Sequence, residues 1–192
     1  MKIFKALSVA LFSILFIKAT AQTEIPKGYS KGKIVLQDNS SQSGYIKDNM
    51  KKDATINFLD EKGDKKNKYS GNDLVSVEIN DSKFTCIKGD FFKVICNGEL
   101  CFLQKSSDAS GNVTYNGSEA IYVGGTPGKI GDYFIYDSRN NELKLVSNKT
   151  FETVTASAFA GYAPAIEKAK ATQGNIAQLG EAVAIYNSRN SK

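Results

Sequence analysis

The chain has 192 residues, with 25 Lys and Arg against 20 Asp and Glu and no histidine. The missing histidine excludes histidine-based triads and the usual neutral-pH proton shuttle, and it removes the commonest ligand of transition metals. A charged fraction of 23% is that of an ordinary soluble chain, and the length allows one domain with its own core, or a domain plus a small helical appendage.

Taken in order, the first 21 residues read as an address. Lys2 and Lys5 make a positive start, Ala6 to Ile17 an apolar run, and Ala19-Thr20-Ala21 a small-residue cleavage site. This is the layout of a bacterial secretory signal, with Ala19 and Ala21 before the cut and Gln22 as the first mature residue. The apolar run falls short of the about 20 residues of a spanning helix, so no transmembrane segment is expected in the mature chain. The expected location is periplasmic or extracellular. The leader carries three lysines and no acid, so residues 22–192 hold 22 bases and 20 acids. A net charge of +2 leaves no electrostatic footprint for nucleic acid.

Residues 22–147 read as an antiparallel β domain, strand after strand, with turn residues at short intervals. Lys33 to Leu36 and Ser43 to Ile46 flank a polar turn at Asp38 to Ser41. Ala54 to Leu59 sets Ile56 and Phe58 on one face. The basic run Lys62 to Lys68 reads as a solvated hairpin tip. Asp73 to Ile79 alternates, with Val75, Val77 and Ile79 inward. Lys83 to Lys88 and Phe91 to Cys96 meet across Gly89-Asp90, and Asn97-Gly98 predicts a two-residue turn into Glu99 to Gln104. Phe91-Phe92 with Val94-Ile95, and Tyr133 to Tyr136, are apolar on both faces. They predict strands covered on either side, by a second sheet or by C-terminal helices.

Three cysteines, Cys86, Cys96 and Cys101, leave at least one unpaired within a monomer. The two-residue turn would set Cys96 and Cys101 diagonally on one face, roughly 7–8 Å apart, beyond the about 4.4–6.8 Å that a disulfide spans. A bridge from Cys86 to either is the better pairing, and the alternative is three free thiols. Their spacing is not that of a zinc knuckle.

Ser106 to Lys129 is the loosest region, with strand-like pieces at Val113 to Tyr115 and Glu119 to Val123. Gly124 to Lys129 fails as a phosphate loop, because Ile130 stands where Ser or Thr should hold a metal. It reads as a flexible hairpin connection. After Ser147 the period changes. Asn148 is the expected N-cap of a helix with Phe151, Val154 and Ala158 on one stripe, ended by Gly161. Pro164 opens a second short helix. A third carries Ile176, Leu179, Val183 and Tyr186. Residues 148–192 are thus a helical segment packed on the sheet. The expected class is α+β: an antiparallel, partly open barrel-like sheet followed by two or three short helices.

The spacing Gly32-x-Ile34-x-Leu36-x-Asp38, then Gly44-x-Ile46, Ile56-x-Phe58 and Tyr69-x-x-x-Asp73-Leu74, resembles a broad group of secreted and envelope proteins of Bacteroidota. Phe92-x-Val94-x-x-x-Gly98-x-x-x-Phe102-Leu103, Tyr133-Phe134-Ile135 and a closing helix ending Tyr186-Asn187 are similar to the same group. The resemblance implies export and a β-then-helix order, and it implies no activity.

No catalytic, cofactor or metal residues are expected. Asp90, Glu99 and Asp132 fall at strand ends or tips, where acids are ordinarily solvated. Asp60-Glu61 point apart, and Ser30-Lys31-Gly32-Lys33 sets Ser-x-x-Lys before a strand, without companion motifs. Asp38 to Ser40 and Asp108 to Asn112 lack the spacing of a calcium loop. Two functions remain. One is a non-catalytic envelope protein acting by macromolecular contact, through a loop with Tyr115, Tyr122, Gly125 and Pro127, since tyrosine is favoured in binding surfaces. The other is a lipocalin-like carrier of a small apolar ligand, which requires a closed barrel around a cavity.

Overall fold

The computed structural model describes residues 25–111, 113–116, 119–122, 124–172 and 174–190, with 113–116, 119–122 and 190 described by backbone alone. The expected cleavage residues Ala19, Ala21 and Gln22 lie outside the described residues. The elements are β1 (Ser30–Leu36), β2 (Ser41–Asn49), a single helical turn α1 (Met50–Asp53), β3 (Thr55–Asp60), β4 (Lys66–Ser70), β5 (Leu74–Ile79) and β6 (Ser82–Ile87). They continue as β7 (Asp90–Cys96), β8 (Leu100–Lys105), β9 (Val113–Asn116), β10 (Glu119–Tyr122), β11 (Tyr133–Asp137), β12 (Glu142–Val146), α2 (Phe151–Ala158), α3 (Ala163–Ala171) and α4 (Leu179–Asn187). Ten strands form one sheet in the order β12-β11-β8-β7-β6-β5-β1-β2-β3-β4, and β9 and β10 form a separate ribbon. The class is α+β, with an antiparallel sheet that is not closed and helices following it. No helix among the described residues is long and apolar enough to cross a membrane.

The order of strands forces the sheet to curl. β4 and β5 are joined only by Gly71-Asn72-Asp73, yet β3, β2 and β1 stand between them. Four strand spacings span roughly 19 Å of flat sheet, whereas four residue steps reach at most roughly 14 Å. β4 must therefore swing back toward β5, although β4 pairs with β3 alone. Two glycines permit the bend. Gly32 and Gly44 are direct partners across β1 and β2. A Cβ on Gly32 would lie 2.3 Å from the Glu78 carbonyl oxygen, and one on Gly44 2.3 Å from that of Leu59. The curl encloses Ile34, Ile46, Met50, Ile56, Phe58, Leu74, Val77 and Phe91.

The other half of the sheet carries the helices. One face of β8, β11 and β12 presents Leu100, Phe102, Ile135 and Val146 to Phe151, Val154, Phe159, Ala165, Ala169, Leu179, Val183 and Tyr186. The opposite face holds Phe92, Leu103 and Phe134, with Val94, Cys101, Tyr136, Leu143 and Leu145 packed beside them. Phe91-Phe92 and Phe134-Ile135 are thus covered on both sides: Phe91, Phe92 and Phe134 have no exposed surface, and Ile135 has 2%, whereas Ile95, expected to be covered with them, is 44% exposed beside the bulge of β7. The expected helical stripes are the buried ones. The helix boundary moves, however: Thr150, not Asn148, precedes α2. Its hydroxyl donates to the Leu145 carbonyl and accepts from the Ser147 amide, tying the helix start to the end of β12.

Three expectations on register are corrected. Lys66 to Lys68, expected as the end of a solvated tip, belong instead to edge strand β4, paired with β3; lysines on an edge discourage further pairing. Leu74 rather than Val75 enters the core, because the β1–β5 register shifts between Val35 and Leu36. The turn between β7 and β8 is longer than two residues: Cys96 pairs with Phe102, with a bulge after Val94. That bulge sends Cys96 to the helix-covered face and Cys101 to the other. Cys86 lies in the curled core, and all three thiols are free. Burial pushes the Cys86 thiol up to about 12.

Asn187 fixes the tip of the β7–β8 hairpin. Its side-chain amide accepts from the Leu100 N–H at 3.0 Å and donates to the Leu100 carbonyl at 2.9 Å, as a neighbouring strand would. Gly98 leaves it room, since a Cβ there would lie 2.3 Å from Asn187 Nδ2. Asn187→Ala strips both backbone groups of their partner and is expected to cost about 2 kcal/mol, read as a lower urea midpoint at unchanged slope.

Candidate functional site

The β9–β10 ribbon stands apart from the ten-stranded sheet, and what holds its base is a buried ionic cluster. β6 and β7 turn through Lys88 and Gly89, at φ of 49° and 86°, with Ile87 pairing Asp90. The expected turn, Gly89-Asp90, is one residue late. A one-residue slip exchanges sheet faces, so Asp90 becomes the first residue of β7, on the face of Phe92. Asp90 is accordingly buried rather than solvated, with no exposed surface. Lys105, in register with Phe92 on β8, is buried beside it at 1% exposure.

The cluster is fully paired. Lys105 Nζ lies 3.2 Å from Asp90 Oδ2 and donates to the carbonyls of Thr126 at 2.7 Å and Gly128 at 3.2 Å. Asp90 Oδ1 accepts from the Ala109 amide at 2.7 Å and from Ser107 Oγ at 3.2 Å. Its Oδ2 accepts from the Thr126 amide at 2.8 Å and from Thr126 Oγ1 at 2.6 Å. Ser107 Oγ in turn accepts from the Phe91 amide. The donors at 107–109 precede β9, and the donors and acceptors at 126–128 follow β10. One ion pair therefore fastens both feet of the ribbon to β7 and β8. Asp108 Oδ1 reaches to 3.9 Å from Lys105 Nζ, and hydrogen bonds from the Ser110 hydroxyl and amide hold its carboxyl below the usual range.

This geometry separates the four expected contact residues. Tyr115 and Tyr122 lie on the ribbon, where Tyr115 pairs with Ala120 and Tyr122 with Val113; period-two alternation sets all four positions on one face of it. Gly125, at φ 62°, is a packing residue: a Cβ would lie 2.9 Å from the Ser110 nitrogen. Pro127 is exposed, between the two residues whose carbonyls hold Lys105. The stretch expected to be a flexible connection is thus pinned at Thr126 and Gly128. Asp90 and Lys105 were missed as a site, and the signal was period two. Lys105 falls in phase with Leu103 and Cys101, and Asp90 in phase with Phe92 and Val94.

Glu99 and Asp132, grouped with Asp90 as solvated acids, are also engaged. Asp132 accepts from the Lys129 amide at 2.7 Å. Glu99 joins Arg139 and Arg189, and the Arg189 guanidinium lies 3.7 Å over the Tyr186 ring. Arg139 also grips Asp137 with two nitrogens, at 3.2 and 3.1 Å, which holds the Asp137 carboxyl down at about 2. A group with a depressed folded-state value stabilises above its unfolded value, about 3.9, and loses this as pH falls. Stability from this pair is expected to fade between about pH 4 and pH 2. Urea midpoints of the native chain and of Asp137→Asn, measured across that window, should converge at its acid end.

Two depressions lie elsewhere on the described surface. One of about 210 Å³ is lined by Asp137, Arg139, Lys144, Ser157 and Tyr186. Another, of about 390 Å³, lies between α2 and α3. Asp38 and Asp108 accept from the backbone two residues on, which is turn chemistry. No group of three or more Cys, Asp or Glu among the described residues could hold a metal. Compared with protein-family models, curated proteins and solved structures, the chain matches none.

Proposed function

We propose that the protein is an exported, non-catalytic component of the bacterial cell envelope that works by contact with another macromolecule; its resemblance to the Bacteroidota group bears on the export alone. The observation that carries this reading is the β9–β10 ribbon, outside the main sheet yet anchored at both feet by the Asp90–Lys105 cluster. A ribbon with a rigid base presents its residues at low ordering cost, and preorganisation of this sort improves affinity. Tyr115 and Tyr122 occupy positions on one face of the ribbon by register, and tyrosine is a residue type that contact surfaces favour. The apolar-ligand carrier has less support. It needs a closed barrel around a chamber, whereas this sheet is open and its apolar faces are filled by Phe58, Phe91, Phe92, Phe102 and Phe134.

The test is cross-linking in living cells. A photoreactive phenylalanine analogue replacing Tyr115 or Tyr122 should give a discrete adduct with an envelope macromolecule, and the same analogue at exposed Glu61 should not. Equal patterns at the three positions would remove the ribbon as the contact element. Native mass spectrometry of protein from its own host adds the opposing outcome, since a retained small apolar molecule would favour the carrier.

A further inference from the structure

We propose that Asp90 and Lys105 condense to a side-chain amide, a covalent link between β7 and β8 that forms once the fold has closed around them. The reacting groups are held together by the fold: Nζ lies 3.2 Å from Oδ2, and neither side chain has exposed surface. Fixed neighbours of this kind react as if at effective concentrations of about 10⁵–10⁸ M. The dry site also shifts the equilibrium. In water, condensing an ammonium with a carboxylate discards the solvation of both ions. Here that solvation is already lost, at several kcal/mol per ion in general, and forming a neutral amide removes both charges from the interior.

The surroundings fit the step. Attack by Nζ on Cγ turns the planar carboxyl into a tetrahedral adduct whose negative charge sits on oxygen. Four donors already face those oxygens: the Ala109 amide and Ser107 hydroxyl on Oδ1, and the Thr126 amide and hydroxyl on Oδ2. Donors fixed in advance where charge develops are the most effective form of such stabilisation. Asp108, 3.9 Å from Nζ and half exposed, carries a proton from the ammonium to the departing oxygen of Asp90 before the attack, so that a free amine meets a neutral carboxyl and that oxygen takes its second proton from the nitrogen as it leaves. The N–C bond forms and one C–O bond breaks. Two of the three ammonium protons leave with that oxygen as water, and the third remains on the amide nitrogen, facing the Thr126 carbonyl at 2.7 Å. The two charges cancel, and no oxidant or reductant is consumed.

Peptide mapping of the denatured full-length chain decides the matter. Trypsin does not cut after an acylated lysine. A linked chain therefore yields Gly89–Lys93 joined to Val94–Lys129, lighter than the sum of the two by one water and carrying two free N-termini, so that sequencing reads from Gly89 and from Val94 together, whereas linear Gly89–Lys129 of the same mass reads from Gly89 alone. Separate Gly89–Lys93, Val94–Lys105 and Ser106–Lys129 peptides at their full masses would overturn the proposal. Lys105→Arg should lose the branched peptide completely, but the native chain answers without it should that variant not fold. In freshly synthesised chain, Asp108→Asn should slow appearance of the branched peptide about a hundredfold; an unchanged rate would overturn the proton-carrying role of Asp108.

Discussion

Asp90→Ala is expected to destabilise the fold by about 3–5 kcal/mol, the usual result of stripping one partner from a buried charge pair. Against the about 5–15 kcal/mol that holds a typical domain together, that is a large fraction. The loss has two parts. Lys105 keeps the carbonyls of Thr126 and Gly128 and the more distant, half-exposed Asp108 carboxylate for a fully buried ammonium, and the amides of Ala109 and Thr126 lose their acceptor. Lys105→Met should be milder, because Asp90 keeps four donors from residues 107, 109 and 126. The ranking matters more than either value. If Asp90 is the peg on which both feet of the ribbon hang, Asp90→Ala must also release the amides of Ala109 and Thr126 to fast hydrogen exchange, while those in β1 and β2 stay protected. A loss below about 1 kcal/mol, the scale of an exposed pair, or exchange rising evenly through the sheet, would show that the ribbon is fastened by something else.

How much of this could be read from the residues follows from which forces are local. Helix stripes are local and periodic: Phe151 with Val154, and Leu179 with Val183 and Tyr186, were legible because burial follows a 3.6-residue rhythm wherever the helix ends. The double burial of Phe91-Phe92 and Phe134-Ile135 was legible for the same reason, since no single covering layer hides adjacent strand residues. Registers were less so. Lys88 occupies a left-handed turn position, at φ 49°, that composition assigns to glycine, asparagine or aspartate. The turn was therefore placed one residue late, and Asp90 was left in solvent. The bulge after Val94 has no sequence mark, and it alone sets Cys96 and Cys101 on opposite faces. The candidate site was half legible. The ribbon strands were visible in alternation, but their anchor depends on pairing an acid and a lysine from different strands, which no local window contains.

Gly44→Ala carries the second large expectation, a loss of about 3 kcal/mol, at the upper end for overpacking a filled interior. The added methyl would lie 2.3 Å from the Leu59 carbonyl oxygen and 2.8 Å from the Phe58 ring. The ring could swing away, but the carbonyl is fixed in the β2–β3 ladder, where Tyr45 pairs with Leu59. Relief therefore requires β2 and β3 to separate or to flatten, and flattening is what the three-residue link from β4 to β5 forbids. Gly32, paired directly with Gly44, meets the same obstacle on its other side, at the Glu78 carbonyl of β5. The two sites share one bend, so their effects should not add: once one methyl has opened the curl, the second finds the space already there. Urea unfolding of Gly32→Ala, Gly44→Ala and the double variant measures this directly. A double variant weakened by much less than the sum supports a single strained corner. Strict additivity would mean that each glycine accommodates only its own neighbour, and that the curl is held elsewhere, with Gly71 against the Gly89 backbone as the place to look.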